Sequence, residues 1–284
     1  MNDPLGTRIK EQYENRTRYF VPRRTFTILR LDGKAFHTYT KGLTRPFDTG
    51  LMEDMDNAIV ALMSEIQGSA FAYTQSDEIS ILVTDFEKET TSAWFDGNIQ
   101  KMTSVAASIM TAEFNKLRIL RCAYDIDENE RGMHTVFRDC VHKNYINEMK
   151  PAYFDCRVFT VPDRTEVMNY FRWRQQDCIR NSVSMVAQSH FSHKELHGKS
   201  QSDMHEMLHE KGINWTTHFT DGQKNGRFVS KETYMQLFAF SKIEQQQVRD
   251  ESTGIASTPN TTYIPRTHWV AKGAWYLAKM KVNY

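Results

Sequence analysis

The sequence predicts an α+β fold: a ferredoxin-like sheet of βαββαβ order followed by a helical C-terminal extension. Three observations predict it. Thr25–Leu31 is a run of β-formers stopped by Asp32-Gly33. Residues 51–66 carry Leu51, Met55, Ile59, Leu62 and Ile66 at helical spacing. Phe71–Thr74 and Ile79–Thr84 read as strands flanking Gln75–Glu78, a hairpin with its tip at Ser76-Asp77.

The other elements follow in chain order. Residues 5–19 read as a first helix, with Leu5, Ile9 and Tyr13 on one stripe. Residues 34–49, with Gly42 and Pro46, read as a loop. A helix over about 97–117 presents Met102, Val105, Ile109 and Ala112, and Arg157–Val161 is a later strand. Thr165 to about His190 is one long helix, and Ser192-His193-Lys194-Glu195 is a capping box opening a short one. Ser202 is placed to cap another helix that Gly212 ends. Asp221-Gly222 and Asn225-Gly226 are turn signals before a Phe228-Val229 strand piece, and residues 250–262 are small and polar. The division expected is a palm-like catalytic region over 1–150 and a mainly helical region over 151–284 packed on it.

In this topology the first and third strands are central neighbours. The end of the first strand then lies near the hairpin tip, so Asp32 and Asp77 meet, as in a polymerase palm. Adjacent strands lie about 4.8 Å apart, and carboxylates so placed repel unless cations sit between them. Two Mg²⁺ ions about 4 Å apart on paired carboxylates are the apparatus of in-line nucleotidyl transfer. Taken alone, the two aspartates also read as turn caps. Gly33 favours the metal reading, because a residue without Cβ lets a phosphate or a cation approach the backbone.

Composition narrows the classes further. The chain has 284 residues, 40% hydrophobic and 25% charged, with net charge +1. That describes a globular domain with a sizeable core. No run of 18 apolar residues marks a membrane span, and the N-terminus lacks the apolar core of a secretory signal. Cys122, Cys140, Cys156 and Cys178 form no CxxC pair, which reads as reduced thiols in a cytoplasmic protein. Basic residues gather at Arg16, Arg18, Arg23 and Arg24 and at Arg172, Arg174 and Arg180, as solvated faces or as phosphate contacts.

Other motifs carry less. Lys34, His37, Lys41 and Arg45 follow Asp32, and Lys101 opens a helix expected to face the same sheet end; together they suggest a triphosphate cradle. His205-Glu206-Met207-Leu208-His209 matches HExxH, but Met204, Met207 and Leu208 make an amphipathic helix the preferred reading over zinc. Gly198-Lys199-Ser200 lacks the upstream glycine of a phosphate-binding loop, since position 193 is His193. Tyr170, Phe171 and Trp173 beside Arg172 and Arg174 read as RNA-stacking or as core.

Four segments together resemble the tRNA-histidine guanylyltransferase superfamily: Arg30-Leu31-Asp32-Gly33-Lys34-Ala35-Phe36-His37, Arg45-Pro46-Phe47-Asp48, Ser76-Asp77-Glu78-Ile79-Ser80, and Lys101-Met102-Thr103-Ser104 with Ser108. The likeness covers about 25–110 and continues more weakly through Phe154-Asp155-Cys156-Arg157 and Trp173-Arg174-Gln175-Gln176-Asp177. The eukaryotic tRNA-histidine-specific members carry a HINNLYN-type motif in the long helix. Here that place reads Ile179-Arg180-Asn181-Ser182-Val183-Ser184-Met185, where only Asn181 fits. The chain thus resembles the guanylyltransferase-like branch, which implies template-dependent 3′–5′ addition that repairs 5′-truncated tRNA.

The resemblance implies a set of roles. Asp32, Asp77 and the Gly33 carbonyl hold two Mg²⁺, with Glu78 as a further catalytic carboxylate. Gly33, Lys34, Ala35, Phe36, His37, Arg45, Asp48, Ser76 and Lys101 bind the nucleotide. Arg30, Arg157, Arg180, Asn181 and Lys199 contact RNA. ATP and GTP or another NTP are substrates, tRNA is the partner, and the family assembles into multimers, commonly homotetramers. Three readings compete: a palm-type nucleotidyl cyclase, a non-catalytic RNA-binding module and a zinc hydrolase.

Overall fold

The computed structural model describes residues 3–130, 150–238 and 262–273. Its framework is an antiparallel sheet. Strand β1 (Phe26–Gly33) pairs on one side with β3 (Glu78–Val83) and on the other with β4 (Phe154–Val161). Strand β2 (Ser69–Gln75) makes the hairpin with β3 and pairs on its far side with the start of β5 (Arg227–Phe238). The spatial order β4-β1-β3-β2 is that of the expected ferredoxin-like topology, with β5 added beyond β2. The β4 strand lies past residue 150, so the sheet draws on both halves of the chain. Two compact units are present: one holds residues up to Ser230 and from Ala271, and the other, Lys231–Val270, contains the rest of β5 and most of β6 (Thr262–Gly273), which are hydrogen-bonded neighbours.

Period-two alternation divides the sheet's side chains between two layers. Leu29, Leu31, Ile79 and Ile81 are fully buried on one face. Helices α3 (Thr49–Glu65) and α4 (Ile99–Glu130) cover that face, and Met55, Ile59 and Leu62 of the expected stripe are fully buried. In α4 the buried stripe is Met102, Ala106, Met110 and Phe114, while Ala112 is exposed. The i, i+4 spacing through Phe114 replaces the expected Val105-Ile109-Ala112 stripe because the large Phe114 ring packs against Phe36 and Phe154. Asp54 ties the two helices together, accepting from Arg118 at 2.9 Å and from Arg121 at 2.8 Å.

The opposite face carries Ile28, Tyr73, Leu82 and Phe228 under the long helix α5 (Arg164–His190), which contributes Val167, Phe171 and Cys178. Beyond α5, α6 (His193–Leu196) opens with the expected capping box, Ser192 with Glu195. The next helix, α7 (Gln201–Glu210), is capped by Ser200 and not by Ser202, because Asp203 three residues on completes a second box with Ser200. Leu208 is buried and Met204 and Met207 pack with it, so the HExxH helix turns its apolar side inward, with His205 edge-on to Trp215. Short helices α8 (Trp215–His218) and α9 (Asp221–Asn225) lead to Gly226, at φ +79°, and β5.

The N-terminal segment departs from expectation. Helix α1 spans Pro4–Gln12, and a 3-10 turn, Glu14–Thr17, follows it. Asp3 caps the helix and Pro4 starts it, but Tyr13 leaves helical geometry before Asn15 and Thr17, poor helix formers. Its Leu5, Ile9 and Tyr13 are exposed. In the 34–49 loop a single helical turn, α2 (Phe36–Tyr39), forms behind Ala35, which is left-handed. Thr262 begins β6, and the remainder of the polar 250–262 stretch lies outside the described residues.

Candidate active site

Close approach of two backbones makes the site. A Cβ built on Gly33 would drive into the Phe36 ring and would lie 2.9 Å from the Cβ of Asp77. Only glycine lets the end of β1 sit this near the β2–β3 turn. Ser76, at that turn, has φ +48°, so Asp77 is turned inward beside Asp32-Gly33. Burial pushes the Asp77 carboxyl up to about 6, and the charges of Asp32 and Glu78 push in the same direction. The two aspartates expected to meet therefore do so.

They sit at one wall of a cleft of about 680 Å³, a volume in the range of nucleotide and cofactor sites. The 35–48 loop forms one side, with Ala35, His37, Arg45 and Asp48 at its lining, and α5 forms the other with Asp177, Asn181 and Ser182. Phe36 also touches the cleft, but its ring is mainly core, stacked among Tyr39, Phe114 and Phe154. Asp48 caps α3: its two oxygens accept from the Leu51 amide at 2.7 Å and the Thr44 amide at 3.2 Å. That bonding holds the loop's shape and leaves Asp48 little to offer a phosphate.

Glu78 follows Asp77 in sequence but is used differently. Its Oε2 accepts from Arg30 Nη2 and from Arg174 Nη1, each at 2.7 Å, and the residue is buried. Its Oε1, together with Arg30 Nε and Arg174 Nε, is buried with no hydrogen-bond partner. Glu78 is thus committed to holding two guanidinium groups beside the aspartates. Asp177 extends the same network, pairing with Arg174, Arg180 and Asn181.

The structure does not gather all the expected residues. Arg30 and Arg157 are cross-strand partners on the α5 side of the sheet, outside the cleft lining. Lys34 and Lys199 are exposed and likewise stand apart from it. Lys101 was expected at the Asp32 end and lies at the opposite one. β3 runs away from the hairpin tip, so the connection after it starts α4 where β1 begins: Phe20 bridges Asn98, and the Ile99 amide donates to the Tyr19 carbonyl at 2.9 Å. The length of β1, roughly 23 Å at about 3.3 Å per residue, separates Lys101 from its own chain's aspartates.

Sequence reasoning read Arg174 only as one of a basic cluster and assigned no role to Asp177 or Arg227. Arg174 and Asp177 stand in the Trp173–Asp177 segment of the resemblance, which was the available signal. Arg227 had none: it lines the cleft from β5 and clamps Asp56 of α3 at 2.7 and 2.8 Å, across a gap that only folding closes.

Carboxylates on adjoining strand ends of an antiparallel palm sheet, opening into a cleft of nucleotide size, define a nucleotidyl-transfer enzyme. Comparison with known proteins agrees. The family model for Thg1, tRNAHis guanylyltransferase, matches residues 7–162. The chain belongs to the tRNA(His) guanylyltransferase family and is a nucleotidyltransferase. It is 26% identical over 255 residues to the tRNA(His) guanylyltransferase of Debaryomyces hansenii, covering 85% of this chain and 86% of that one. Two bacterial Thg1-like protein structures are similar. One, in complex with ATP, is 41% identical with TM-score 0.68 over 80% of this chain and 89% of the other. The second, in complex with GTP, is 34% identical with TM-score 0.65 over 95% and 91%.

Proposed function

We propose that this protein adds nucleotides in the 3′–5′ direction to the 5′ end of tRNA, reading the opposite strand as template, and so repairs 5′-truncated tRNA. The observation that carries the reading is the approach of Asp77 to Asp32-Gly33 at the cleft wall. The ATP and GTP complexes of the bacterial relatives support nucleoside triphosphates as occupants of the cleft. The departure of Ile179–Met185 from the tRNA-histidine-specific motif supports templated repair.

The donor set fits magnesium. The Asp32 and Asp77 carboxylates and the Gly33 carbonyl are hard oxygen ligands, and a carboxyl that burial, with Asp32 and Glu78 beside it, pushes up is one that a bound cation would favour in its charged form. Two bound Mg²⁺ would lower the pKa of an attacking 3′-hydroxyl and neutralise the triphosphate. The protein's own residues do the rest. His37 and Arg45, with the backbone of residues 33–37 and Ser76, cradle the triphosphate from the loop side. Glu78 fixes Arg30 in front of the buried Arg174, so that Arg30 meets the RNA 5′-phosphate as a preformed cation. Arg157, Arg180, Asn181 and Lys199 continue that contact along the RNA, which makes the region after residue 150 the part that completes the RNA site.

The covalent sequence balances as follows. A phosphate oxygen of a 5′-monophosphorylated RNA attacks the α-phosphorus of ATP and releases pyrophosphate, leaving an adenylylated end. The 3′-oxygen of the incoming nucleotide, losing its proton, then attacks the RNA 5′-phosphorus and AMP departs. An RNA that already carries a 5′-triphosphate skips the first step and releases pyrophosphate in the second. Lys101 reaches a triphosphate only from a second copy of the chain, which agrees with the homotetramer that the family resemblance implies.

The test is a labelling assay. Protein, ATP, Mg²⁺ and labelled nucleotides are incubated with a tRNA lacking its 5′ nucleotide, beside Asp77→Ala. Growth of the 5′ end that matches the opposite base and vanishes in the variant is the expected result. Conversion of free nucleotide to a cyclic product without RNA growth would replace this reading with a cyclase.

A further inference from the structure

Beside the cleft, on the β1–β4 side of α5, the aromatic rings of Trp173 and Tyr170 stand among the arginines Arg30 and Arg174. The Arg174 guanidinium carbon sits 3.7 Å from the ring centroid of Trp173, a stacked cation–π contact. Tyr170 meets the same indole edge-on at 6.0 Å, and Arg30 lies 6.0 Å from it. Arg174 is itself immobilised by Glu78 and is 4% exposed, yet Trp173 is 49% exposed. A large apolar ring held this firmly is not left half open by poor packing, because Phe171 and Tyr170 beside it are accommodated.

The surroundings say what would cover it. Arg30 and Arg157 are cross-strand partners, and Asp32 stands two residues beyond Arg30 on the same strand face. Arg172, next to Trp173, is exposed. Arg30, Arg157, Arg172 and Arg174 outnumber the carboxylates paired with them, Glu78, Asp155 and Asp177, by one, and the Nε atoms of Arg30 and Arg174 are buried without partners. An aromatic face rimmed by guanidinium groups suits a ligand that is flat, π-rich and anionic at its edge, which is a nucleobase with its phosphate. The nucleotide cleft begins one turn further along α5, lined by Asp177, Asn181 and Ser182, and Trp173 is not part of its lining.

We propose that Trp173, mounted on Arg174, is a stacking platform for a nucleobase delivered to the reacting end. The base is that of the RNA 5′ nucleotide or that of the activating ATP. The Glu78–Arg174–Trp173 chain links that platform directly to the Asp32–Asp77 pair, so seating the base places its phosphate beside the carboxylates. This inference rests on the nucleotidyl-transfer reading above.

Binding of fluorescently labelled 5′-truncated tRNA, without ATP, and of ATP, without RNA, is measured for wild type, Trp173→Phe and Trp173→Leu, with thermal unfolding as the folding control. Leu keeps an apolar side chain but has no π face. Trp173→Leu is expected to weaken binding of one of the two ligands by about 5- to 150-fold, while Trp173→Phe stays within about threefold of wild type. The ligand that loses affinity identifies the source of the base. In steady state the same variant raises the KM for that ligand and leaves kcat at saturation near wild type. Equal binding of both ligands by Trp173→Leu and wild type, in a wild-type protein that extends RNA, overturns the platform alone. A wild-type protein that extends no RNA overturns the functional reading instead.

Discussion

Gly33, at the end of β1, lies against Asp77, at the tip of the β2–β3 hairpin: a Cβ on the glycine would lie 2.9 Å from the Cβ of the aspartate. Gly33 is not left-handed; it sits in regular β1 geometry opposite Phe154. The demand for glycine is therefore steric. Gly33→Ala should displace Phe36 and push Asp77 from Asp32, costing about 1–3 kcal/mol of stability, as overpacking does. Nucleotide addition should fall by at least about tenfold at temperatures where the variant is fully folded. Urea unfolding followed by the labelling assay measures both, and a fully active variant would refute the close-approach account.

Glu78→Ala should be costlier to the fold than Asp32→Ala or Asp77→Ala. It strips the shared partner from Arg30 and from the nearly inaccessible Arg174. Removing one member of a buried ion pair typically costs about 3–5 kcal/mol. The aspartates lie at a cleft wall, and replacing Asp77 removes a buried carboxylate and its repulsion by Asp32 and Glu78. Denaturation midpoints of the three variants should rank accordingly, with Asp77→Ala inactive but no less stable than wild type in magnesium-free buffer.

Two capping boxes predict a local acid response. Hydrogen bonds from Ser192 hold the Glu195 carboxyl below its ordinary value of 4.5, and bonds from Ser200 hold that of Asp203 below 3.8. A depressed carboxyl pKa stabilises the fold above the unfolded value, and the contribution is lost as pH falls through the folded one. Amide exchange at Ser192 and Ser200, whose N–H groups donate to these carboxylates at 2.7 and 2.8 Å, should accelerate below about pH 4 relative to the intrinsic rate. Ser200→Ala should cost about 1 kcal/mol at neutral pH.

Lys101 offers a test of assembly. If a neighbouring copy supplies it, Lys101→Ala and Asp77→Ala are each defective alone, and co-refolded mixtures regain part of the activity. Each mixed assembly can hold an intact Asp77 facing an intact Lys101. Activity in mixtures no greater than the average of the two variants would place Lys101 outside the site.

Local signals made much of this legible. The β-formers ending in Asp32-Gly33, the hairpin tip at Ser76-Asp77 and the α3 stripe each depend on neighbours within a few residues, and each appears as expected. Where two local signals competed the sequence was less decisive. Ser202 lies in the first turn of α7, and Asp203, three residues after Ser200, makes Ser200 the cap.

By itself the sequence determined the element order, and element order determined that β1 lies beside β3, since a split βαβ unit leaves that slot for the hairpin's second strand. The pairing of Asp32 with Asp77 followed. Tertiary structure decided which charges serve that pair. It sent Lys101 to the far end because α4 must start where β3 stops. It turned Glu78 toward Arg30 and Arg174, and it brought Arg227 across to Asp56. These contacts join residues tens to hundreds of positions apart. Their cost is loop-closure entropy, and they are settled by which faces the packed layers bring together.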